Sequence, residues 1–496
     1  MTDFSQEFHA RASRIPFLGL GLSVDLYSPN VLDLSAALNR HHLSAGYFEI
    51  FQAHRRALRT VRTHLPRIPM AYHAEGLWFT QPGWFGSKQA SSRLSQIGQD
   101  LEVLDAWWVN QECATKEIAG RVFGTYVPPL FTGNSARLTA QQVWKAQEDL
   151  EARQWGTQGT PLLLLEVPPL TYFGIGDVSY PEFFRRVADG APCGFVLDIG
   201  HVWTAYRYGG ACRTKSFDEF IEVFLEEFPL ERVIQIHVAG LACHPSVTVE
   251  KSRDLGVGPA PWVDSHPDPI PQDLFSALGK VLRDNRLCHI KGLALEVDNK
   301  AISLICRELE FVQEQFGEQL ERIRLRGSGD RAISMDAERC HVDVENGNSL
   351  DFLRQELVRE YADYLSLLTG DNVEAIAGKV AIPTESKEGV RVYVNQYLPQ
   401  EILSWGGDLS EMFPRSCEVL KRHDLGLEQF LEFWFATPWS GEEMVYDFFL
   451  MKIRRFVDFV HSVLPDEAQE ADQEADILLE GYRLSCQEVS LSGDPG

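Results

Sequence analysis

The chain has 496 residues, a hydrophobic content of 44% and a formal net charge of −25. This length suits two or three domains with real cores, and the charge argues against nucleic acid as a partner. Nine scattered cysteines without a CxxC pair, no signal-peptide pattern and no apolar run of membrane-spanning length predict a cytoplasmic protein without a membrane partner.

Short apolar runs alternate with longer amphipathic segments through the first three hundred residues. The predicted strands are 17–22, 47–50, 68–72, 106–109, 162–166, 194–198, 233–238 and 292–296. The predicted helices between them are 86–104, 140–154, 181–189, 216–227 and 272–284. Eightfold alternation predicts an α/β chain with a (β/α)8 barrel, and a doubly wound open sheet is the rival. The barrel is favoured because polar, metal-competent residues follow nearly every strand, where barrel active sites lie.

The pattern changes after the predicted barrel, which occupies residues 1–324 and ends in a helix at 301–324. The polar stretch 325–348 contains RGSGD and lacks periodicity, so it is a predicted linker. In residues 349–496 apolar side chains recur at three-to-four spacing, which predicts a smaller, mainly helical domain. An acidic tail follows its periodic part.

Imidazole and carboxylate groups follow the predicted strands. His237 ends an apolar run, Asp198 and His201 are three residues apart, and Asp264 and His266 lie on the same side of any extended segment. The candidate ligands are His73, Glu112, Glu166, Asp198, His201, His237, Asp264, His266 and Glu296. A mononuclear site uses three or four ligands, so this set predicts two or three metal ions.

Each candidate also has a plainer interpretation. A strand-end histidine such as His237 can be a hydrogen-bonded core residue, Glu112 a surface residue and Asp198 a helix cap. Five other histidines are not predicted to be ligands, although His54 closely follows the predicted strand 47–50. They are His54, His64, His244, His289 and His341.

Several motifs resemble those of the multinuclear non-heme iron-dependent oxidative enzymes, the family of the methanobactin-biosynthesis oxidase. The matching segments are GLGL (19–22), His73, LLLEVPP (163–169), LDIGH (197–201), IHVAGL (236–241), DSHPDPIP (264–271) and LALEVD (293–298). The resemblance spans about residues 15–300 and implies a xylose-isomerase-like barrel. It also implies two or three iron ions and the use of dioxygen to oxidise a residue, most often cysteine, of a ribosomally made precursor peptide.

Three positions depart from the family pattern. His201 stands where the family often has asparagine, Glu112 where it has histidine, and Val167 where it has asparagine. His201 also makes the site resemble endonuclease-IV-like barrels. The alternative is therefore a zinc- or manganese-dependent hydrolase or isomerase of the endonuclease-IV or sugar-isomerase type. A metal-storage or scaffold protein is the non-enzymatic alternative.

The second unit resembles the partner proteins encoded beside these oxidases, in segments 391–403, 412–420 and 427–439. This resemblance implies that a fused domain binds the precursor peptide in place of a separate partner protein. Its candidate peptide-binding residues are Tyr393, Tyr397, Trp434 and Phe435, with buried core expected for at least half of them. A helical oligomerisation domain is the alternative.

Overall fold

Eight parallel strands close into a barrel in this computed structural model, which confirms the predicted (β/α)8 fold. The structure describes residues 4–118, 121–156, 158–169, 172–243, 262–263, 266–327, 347–369, 383, 386–404, 407–436 and 448–491. The barrel strands are β1 (Gly19–Val24), β2 (Phe48–Phe51), β3 (Met70–His73), β4 (Ala106–Glu112), β8 (Leu162–Glu166), β10 (Gly194–Asp198), β11 (Val233–Ala239) and β14 (Gly292–Glu296).

Helices alternate with the barrel strands along the chain. They are α1 (Phe4–Ala12), α2 (Val31–Arg40), α3 (Arg55–His64), α4 (Lys88–Leu104), α5 (Gly133–Glu151), α6 (Tyr180–Gly190), α7 (Ile199–Tyr208), α8 (Phe217–Glu227), α9 (Gln272–Val281) and α10 (Ile302–Gly327). Ser87, Thr132 and Ser179 begin three of these helices by accepting a hydrogen bond from a backbone N–H of the first turn. These polar caps let each helix begin soon after the strand or loop that precedes it.

The barrel strands bury both of their faces, as expected of a parallel sheet covered by helices. In β8, Leu162 and Leu164 belong to the cluster inside the barrel, whereas Leu163 and Leu165 pack outside it. This alternation follows from the two-residue period of a strand. Phe8 of α1 joins the inner cluster, so α1 packs against one end of the barrel interior.

The strand register brings the predicted ligands to one end of the barrel. Glu112 is the register partner of Glu166, and Asp198 is the register partner of His237. Since parallel strands all end on the same side, the side chains at their carboxyl ends converge there.

Short strand pairs lie outside the barrel, and the sequence analysis did not predict them. They are the hairpin β5 (Thr115–Ile118) with β6 (Arg121–Val127), the pair β7 (Leu130–Phe131) with β9 (Ile175–Gly176), and the pair β12 (Ala242–Cys243) with β13 (Trp262–Val263). We call the first of these the β5–β6 hairpin. It directly follows β4.

The described part of the second unit is mainly helical, as predicted. Its elements are α11 (Gly347–Leu368), α12 (Ser386–Val392), a π-helical turn (Tyr393–Tyr397), α13 (Leu398–Ser404), α14 (Leu409–Met412), α15 (Pro414–Arg422), α16 (Leu427–Ala436), α17 (Phe448–Val463) and α18 (Gln469–Leu491). Most of the predicted linker 325–348 lies outside the described residues, and the domain boundaries stay a prediction. No helix among the described residues is long and apolar enough to cross a lipid bilayer.

Candidate metal centre

Glu166 lies at the centre of a buried group of carboxylates and imidazoles. Its Oε1 is 3.1 Å from Nδ1 of His237, and its Oε2 is 3.3 Å from Nε2 of His73. The side-chain amide of Asn110 also donates to Oε2. Burial acts to raise the pKa of Glu166, but His237, His73 and His201 outweigh it and hold that pKa well below its ordinary value. The carboxylate is therefore kept ionised inside the barrel.

Two sets of three side chains within the described residues bring their donor atoms close enough together to hold a metal ion. Glu166, Asp198 and His201 form one set, and Glu166, His237 and Glu296 form the other. Within each set the donor atoms lie within 4.8 Å of one another, and all five residues are buried. Glu166 belongs to both sets, so the geometry offers two adjacent positions that share one carboxylate.

Asp198 has a local structural role as well, which agrees with its interpretation as a helix cap. Its Oδ1 accepts a hydrogen bond of 2.5 Å from the backbone N–H of His201 at the start of α7. His201 Nδ1 lies 2.9 Å from the carbonyl oxygen of Val167. The cap and this carbonyl contact fix both side chains of the motif, and capping does not conflict with binding a metal ion.

His73 and Glu112 extend the cluster along the neighbouring strands. Nε2 of His73 lies 3.4 Å from Oε1 of Glu112. Burial acts to lower the pKa of His73, but the carboxylates of Glu112, Glu166 and Glu49 outweigh it and raise that pKa to about 10. Burial raises the pKa of Glu112 to about 7, against the opposing charge of His73. These carboxylates thus stabilise positive charge, whether it is carried by protonated imidazoles or by bound cations.

His266 joins the cluster from the far side. Its Nε2 lies 3.6 Å from Oε2 of Glu296, and its Nδ1 lies 2.5 Å from Oδ1 of Asp298. A carboxylate on the second ring nitrogen is the usual way in which proteins orient a ligating histidine. Asp264, the remaining predicted ligand, lies outside the described residues. The structure therefore brings eight of the predicted ligands together.

Sequence reasoning missed three side chains that take part in this cluster. Glu49 lies 2.9 Å from His237, Asn110 donates to Glu166, and Asp298 contacts His266. Glu49 and Asn110 lie within β2 and β4, not at the last residue of either strand, so a search of strand ends passed over them. Asp298 is two residues beyond the end of β14, in the LALEVD motif.

The excluded histidines lie elsewhere where the structure describes them. His54 caps α3 through its Nδ1, and the ring of His289 packs edge-on against Phe8 of α1. His64 contacts the carbonyl oxygen of Thr60 within its own helix. His244 and His341 fall outside the described residues.

The candidate peptide-binding aromatics lie in the second unit. Tyr393, Tyr397 and Trp434 are at most 1% exposed, and Phe435 is half-buried. Tyr393 and Tyr397 pack against Tyr172 of the barrel region, with ring centroids 5.9 and 5.0 Å away. These two tyrosines therefore belong to the core between the second unit and the barrel.

A protein-family profile matches most of the barrel region. The profile described as RiPP precursor modification enzyme MbnB/TglH/ChrH matches residues 18–317, where RiPP denotes a ribosomally synthesised and post-translationally modified peptide.

The chain is similar to curated proteins described as UPF0276 proteins. The relative from Anaeromyxobacter sp. (strain Fw109-5) is 25% identical over 176 residues, which are 36% of this chain and 52% of the relative. The relative from Paraburkholderia phytofirmans is 24% identical over 206 residues, 40% of this chain and 60% of the relative. The chain thus spans between half and two thirds of the length of these two relatives. The Psychromonas ingrahamii relative is 21% identical, with 84% of its length covered.

Solved structures with a similar fold include endonuclease IV from Thermus thermophilus, at 18% identity and a TM-score of 0.36. That comparison covers 61% of this chain and 99% of the endonuclease. A sugar phosphate isomerase/epimerase from Parabacteroides distasonis is 10% identical with a TM-score of 0.34, and the comparison covers 60% of this chain and 94% of the isomerase.

Proposed function

The chain belongs to the family of RiPP precursor modification enzymes MbnB/TglH/ChrH, and we propose that it is an oxidase dependent on non-heme iron and dioxygen. Its proposed substrate is a ribosomally synthesised precursor peptide, and the proposed modified residue is cysteine. The observation that carries this proposal is the pair of three-residue groups that share Glu166. A carboxylate common to both groups can serve two adjacent metal ions at once.

The donor set fits such a centre. Among the described residues, the buried atoms Oε2 of Glu296 and Oδ1 of Asn110 make no hydrogen bond. An unpaired buried polar atom costs about 1–3 kcal/mol, so such atoms usually have a partner. Mixed imidazole and carboxylate donors without thiolates suit iron, manganese and zinc. A cation beside Glu296 would satisfy its oxygen and offset the repulsion between the clustered carboxylates.

Each of the two three-residue groups would hold one metal ion. Glu166, Asp198 and His201 would hold one ion, and Glu166, His237 and Glu296 a second. The remaining donors, including those of a third position, would come from His73, Glu112, His266 and Asp264. When bound, iron would supply redox chemistry with dioxygen and a Lewis-acidic position for a substrate thiolate.

Neighbouring residues of the chain orient the ligating histidines, and burial of the site excludes water. Asp298 holds the ring of His266, Glu49 holds the ring of His237, and the carbonyl of Val167 holds that of His201. His73, His201 and His237 are at most 3% exposed. Such fixed, buried ligands leave little freedom for the site to rearrange and keep bulk water away from the reacting groups.

The second candidate function is a zinc- or manganese-dependent hydrolase or isomerase. The observation that favours it is the buried Asp198–His201 pair, which stands in one group with Glu166 and replaces the family's asparagine at position 201. Under this alternative the same residues would hold metal ions that activate water or a sugar hydroxyl without a change of oxidation state.

We also propose that the second unit stands in for a separate peptide-binding partner protein. Because Tyr393, Tyr397 and Trp434 are buried, a peptide-binding surface would use other side chains. The half-buried Phe435 is a candidate residue at the border of such a surface. The protein is proposed to act in the cytoplasm, since six described cysteines are unbridged.

Metal analysis and oxygen uptake test the function together. Protein purified without oxygen and supplied with iron should hold at least two iron ions per chain. It should consume dioxygen when a cysteine-containing peptide from a neighbouring open reading frame is added, with a mass change in that peptide. Two or three zinc ions and no oxygen uptake with any such peptide would favour the hydrolase or isomerase. One metal ion or none would contradict the proposed oxidase.

A further inference from the structure

The segment that carries His266 has a restricted backbone. Residues 266–271 read HPDPIP, so every second residue is proline, and the residue before each proline is biased towards extended conformations. A contact at one residue of such a segment therefore also limits where its neighbours lie. Because proline has no N–H, the backbone of this segment can donate hydrogen bonds only from His266, Asp268 and Ile270.

Glu308 of α10 holds this segment four residues beyond His266. Its Oε1 accepts a hydrogen bond of 2.8 Å from the backbone N–H of Ile270, and its Oε2 accepts one of 2.7 Å from Nζ of Lys300. The side chains of Glu308 and Lys300 are both buried. Each carboxylate oxygen thus has a partner of its own, and the ion pair with Lys300 keeps Oε1 facing the segment.

Lys300 lies in the same turn as Asp298, which contacts the ring of His266. The backbone N–H of Lys300 donates to the carbonyl of Val297 at 3.1 Å, which closes a four-residue turn directly after β14. Oδ1 of Asp298 lies 2.5 Å from Nδ1 of His266. The turn therefore places one side chain on the imidazole and the other on Glu308.

Gly240, which follows β11, packs against the same segment. A Cβ added at Gly240 would lie 2.2 Å from the carbonyl oxygen of Asp268 and 3.5 Å from that of His266. A side chain at this position would require the backbone of the segment to shift. The segment is therefore confined by Gly240 as well as by Glu308.

We infer that Glu308 and Lys300 are positioning residues for His266. Their ion pair fixes the carboxylate that holds Ile270, and the proline-restricted backbone transmits this constraint to the imidazole. The inference rests on the proposed metal centre, in which His266 is a candidate ligand. It assigns a role in that centre to a buried pair that includes none of the candidate ligands.

Two double variants separate the hydrogen bond to Ile270 from the ion pair. Lys300→Met/Glu308→Gln keeps a side-chain oxygen that can accept from Ile270, whereas Lys300→Met/Glu308→Met does not. Glutamine and methionine have side chains of similar length, and both variants keep the net charge of the chain. Replacing a buried ion pair by uncharged residues of similar volume is often neutral or stabilising, so both variants should fold.

Co²⁺ binding to the full-length proteins measures the effect on the centre. Lys300→Met/Glu308→Met should shift the visible Co²⁺ absorption and weaken Co²⁺ affinity about 10-fold or more, as expected when the orientation of a ligand is lost. Lys300→Met/Glu308→Gln should stay close to the wild type. A wild-type spectrum and affinity in Lys300→Met/Glu308→Met would overturn the inference, and so would equal losses in the two variants.

Gly240→Ala displaces the same segment without changing the ion pair. It should also weaken Co²⁺ binding, whereas Gly83→Ala, whose Cβ would meet no atom within 4 Å, should keep wild-type affinity. If Lys300→Met/Glu308→Met fails to fold, this comparison decides the matter. Wild-type affinity in Gly240→Ala would then overturn the link between the position of the segment and the metal centre.

Hydrogen exchange in the metal-free protein separates this inference from the proposed function. The amide of Ile270 should exchange faster in Lys300→Met/Glu308→Met than in Lys300→Met/Glu308→Gln. Equal protection in the two variants would overturn the role of Glu308, whatever the metal content. A wild-type protein that takes up no Co²⁺ would overturn the proposed centre and the positioning role with it, whereas the exchange comparison would still show how the segment is held.

Discussion

Oε1 of Glu49 lies 2.9 Å from Nε2 of His237, and both side chains are fully buried inside the barrel. The other ring nitrogen of His237 faces Glu166 and Glu296, at 3.1 and 3.3 Å. Burial acts to raise the pKa of Glu49, but the charge of His237 outweighs it and lowers that pKa. The contact with Glu49 orients the imidazole of His237 so that its Nδ1 faces the candidate metal position.

Removing the charge of Glu49 should weaken its contact with His237 without removing a candidate metal ligand. We expect Glu49→Gln to lower metal affinity by about 10–100-fold, as changes in residues that orient ligands typically do. Metal content after dialysis against a chelator of graded strength would measure the change.

Glu117→Gln is the matched control, because burial alone raises the pKa of Glu117 and its carboxylate lies apart from the cluster on the β5–β6 hairpin. The control should keep wild-type affinity. Equal affinities in Glu49→Gln and the wild type, with circular dichroism showing both folded, would contradict the role given to Glu49.

The sharing of Glu166 by both three-residue groups predicts a stoichiometry. Glu166→Gln should lose metal from both positions, whereas Asp198→Asn should lose it mainly from one and Glu296→Gln mainly from the other. The reason is that each of the latter two residues belongs to a single group. Metal analysis of the purified variants, each normalised to folded protein, would test this.

The same experiment can contradict the grouping. If Asp198→Asn loses all of its metal and Glu166→Gln retains most, then the two positions do not share Glu166. If all three variants lose all metal while staying folded, the ions bind only as one cooperative unit.

The barrel was predictable because its strands are short apolar runs whose ends are marked by polar residues. The predicted strands 162–166, 194–198 and 292–296 coincide with the observed ones. Their carboxyl-end donors followed from the rule that parallel strands end on one side. The rule did not identify Glu49, because this residue lies within β2 and not at its end. The alternation of side chains along β2 directs the Glu49 carboxylate toward the barrel interior. A carboxylate within the four-residue strand FEIF was the signal that could have found it.

The β5–β6 hairpin was beyond local sequence reasoning. Its contact between Thr125 and Tyr397 joins residues 272 positions apart. The spacing of apolar residues in either segment does not predict this contact. That spacing would be the same whether the tyrosines faced solvent, a bound peptide or the barrel. The fate of Tyr393 and Tyr397 was therefore decided by tertiary packing.

Gly124 of the hairpin provides a test of how tightly α17 packs against it. Its φ is +75°, and a Cβ placed there would lie 1.8 Å from Cε2 of Phe448. Gly124→Ala should therefore combine backbone strain of roughly 1–2 kcal/mol with an overpacking cost of about 1–3 kcal/mol. Urea unfolding of the variant and the wild type would measure the sum.

Gly86→Ala separates the two costs. Gly86 has a φ of +91°, but an added Cβ would meet no atom within 4 Å. This variant should show the backbone cost alone. The cost of Gly124→Ala should be smaller when it is measured against Phe448→Leu than when it is measured against the wild type. Equal losses in Gly124→Ala and Gly86→Ala would show that Phe448 does not press on the hairpin.

Lys452 of α17 predicts a pH dependence of stability. Its side chain is fully buried, its Nζ donates to the carbonyl of Gly407 at 2.8 Å, and burial lowers its pKa to about 7 against the opposing pull of Glu401 and Asp408. Between this pKa and the ordinary value of 10.5 the unfolded chain binds more protons than the folded chain. The free energy of unfolding should therefore rise with pH in that window, at up to about 1.4 kcal/mol per pH unit from this residue.

Lys452→Met removes the titrating group and keeps an unbranched side chain, so it should lose this part of the pH dependence. Urea unfolding at pH 6 and pH 9 would measure it, with the exposed Lys421→Met on α15 as the control. We expect the wild type and Lys421→Met to gain stability by similar amounts between the two pH values, and Lys452→Met to gain less by at least about 1 kcal/mol. Below pH 7 the amine is charged in both the folded and the unfolded state, and its burial is then most costly. The free energy of unfolding of Lys452→Met, relative to that of the wild type, should therefore be highest at pH 6. An identical gain in all three proteins would mean that Lys452 is charged or solvated in the folded state across the whole window.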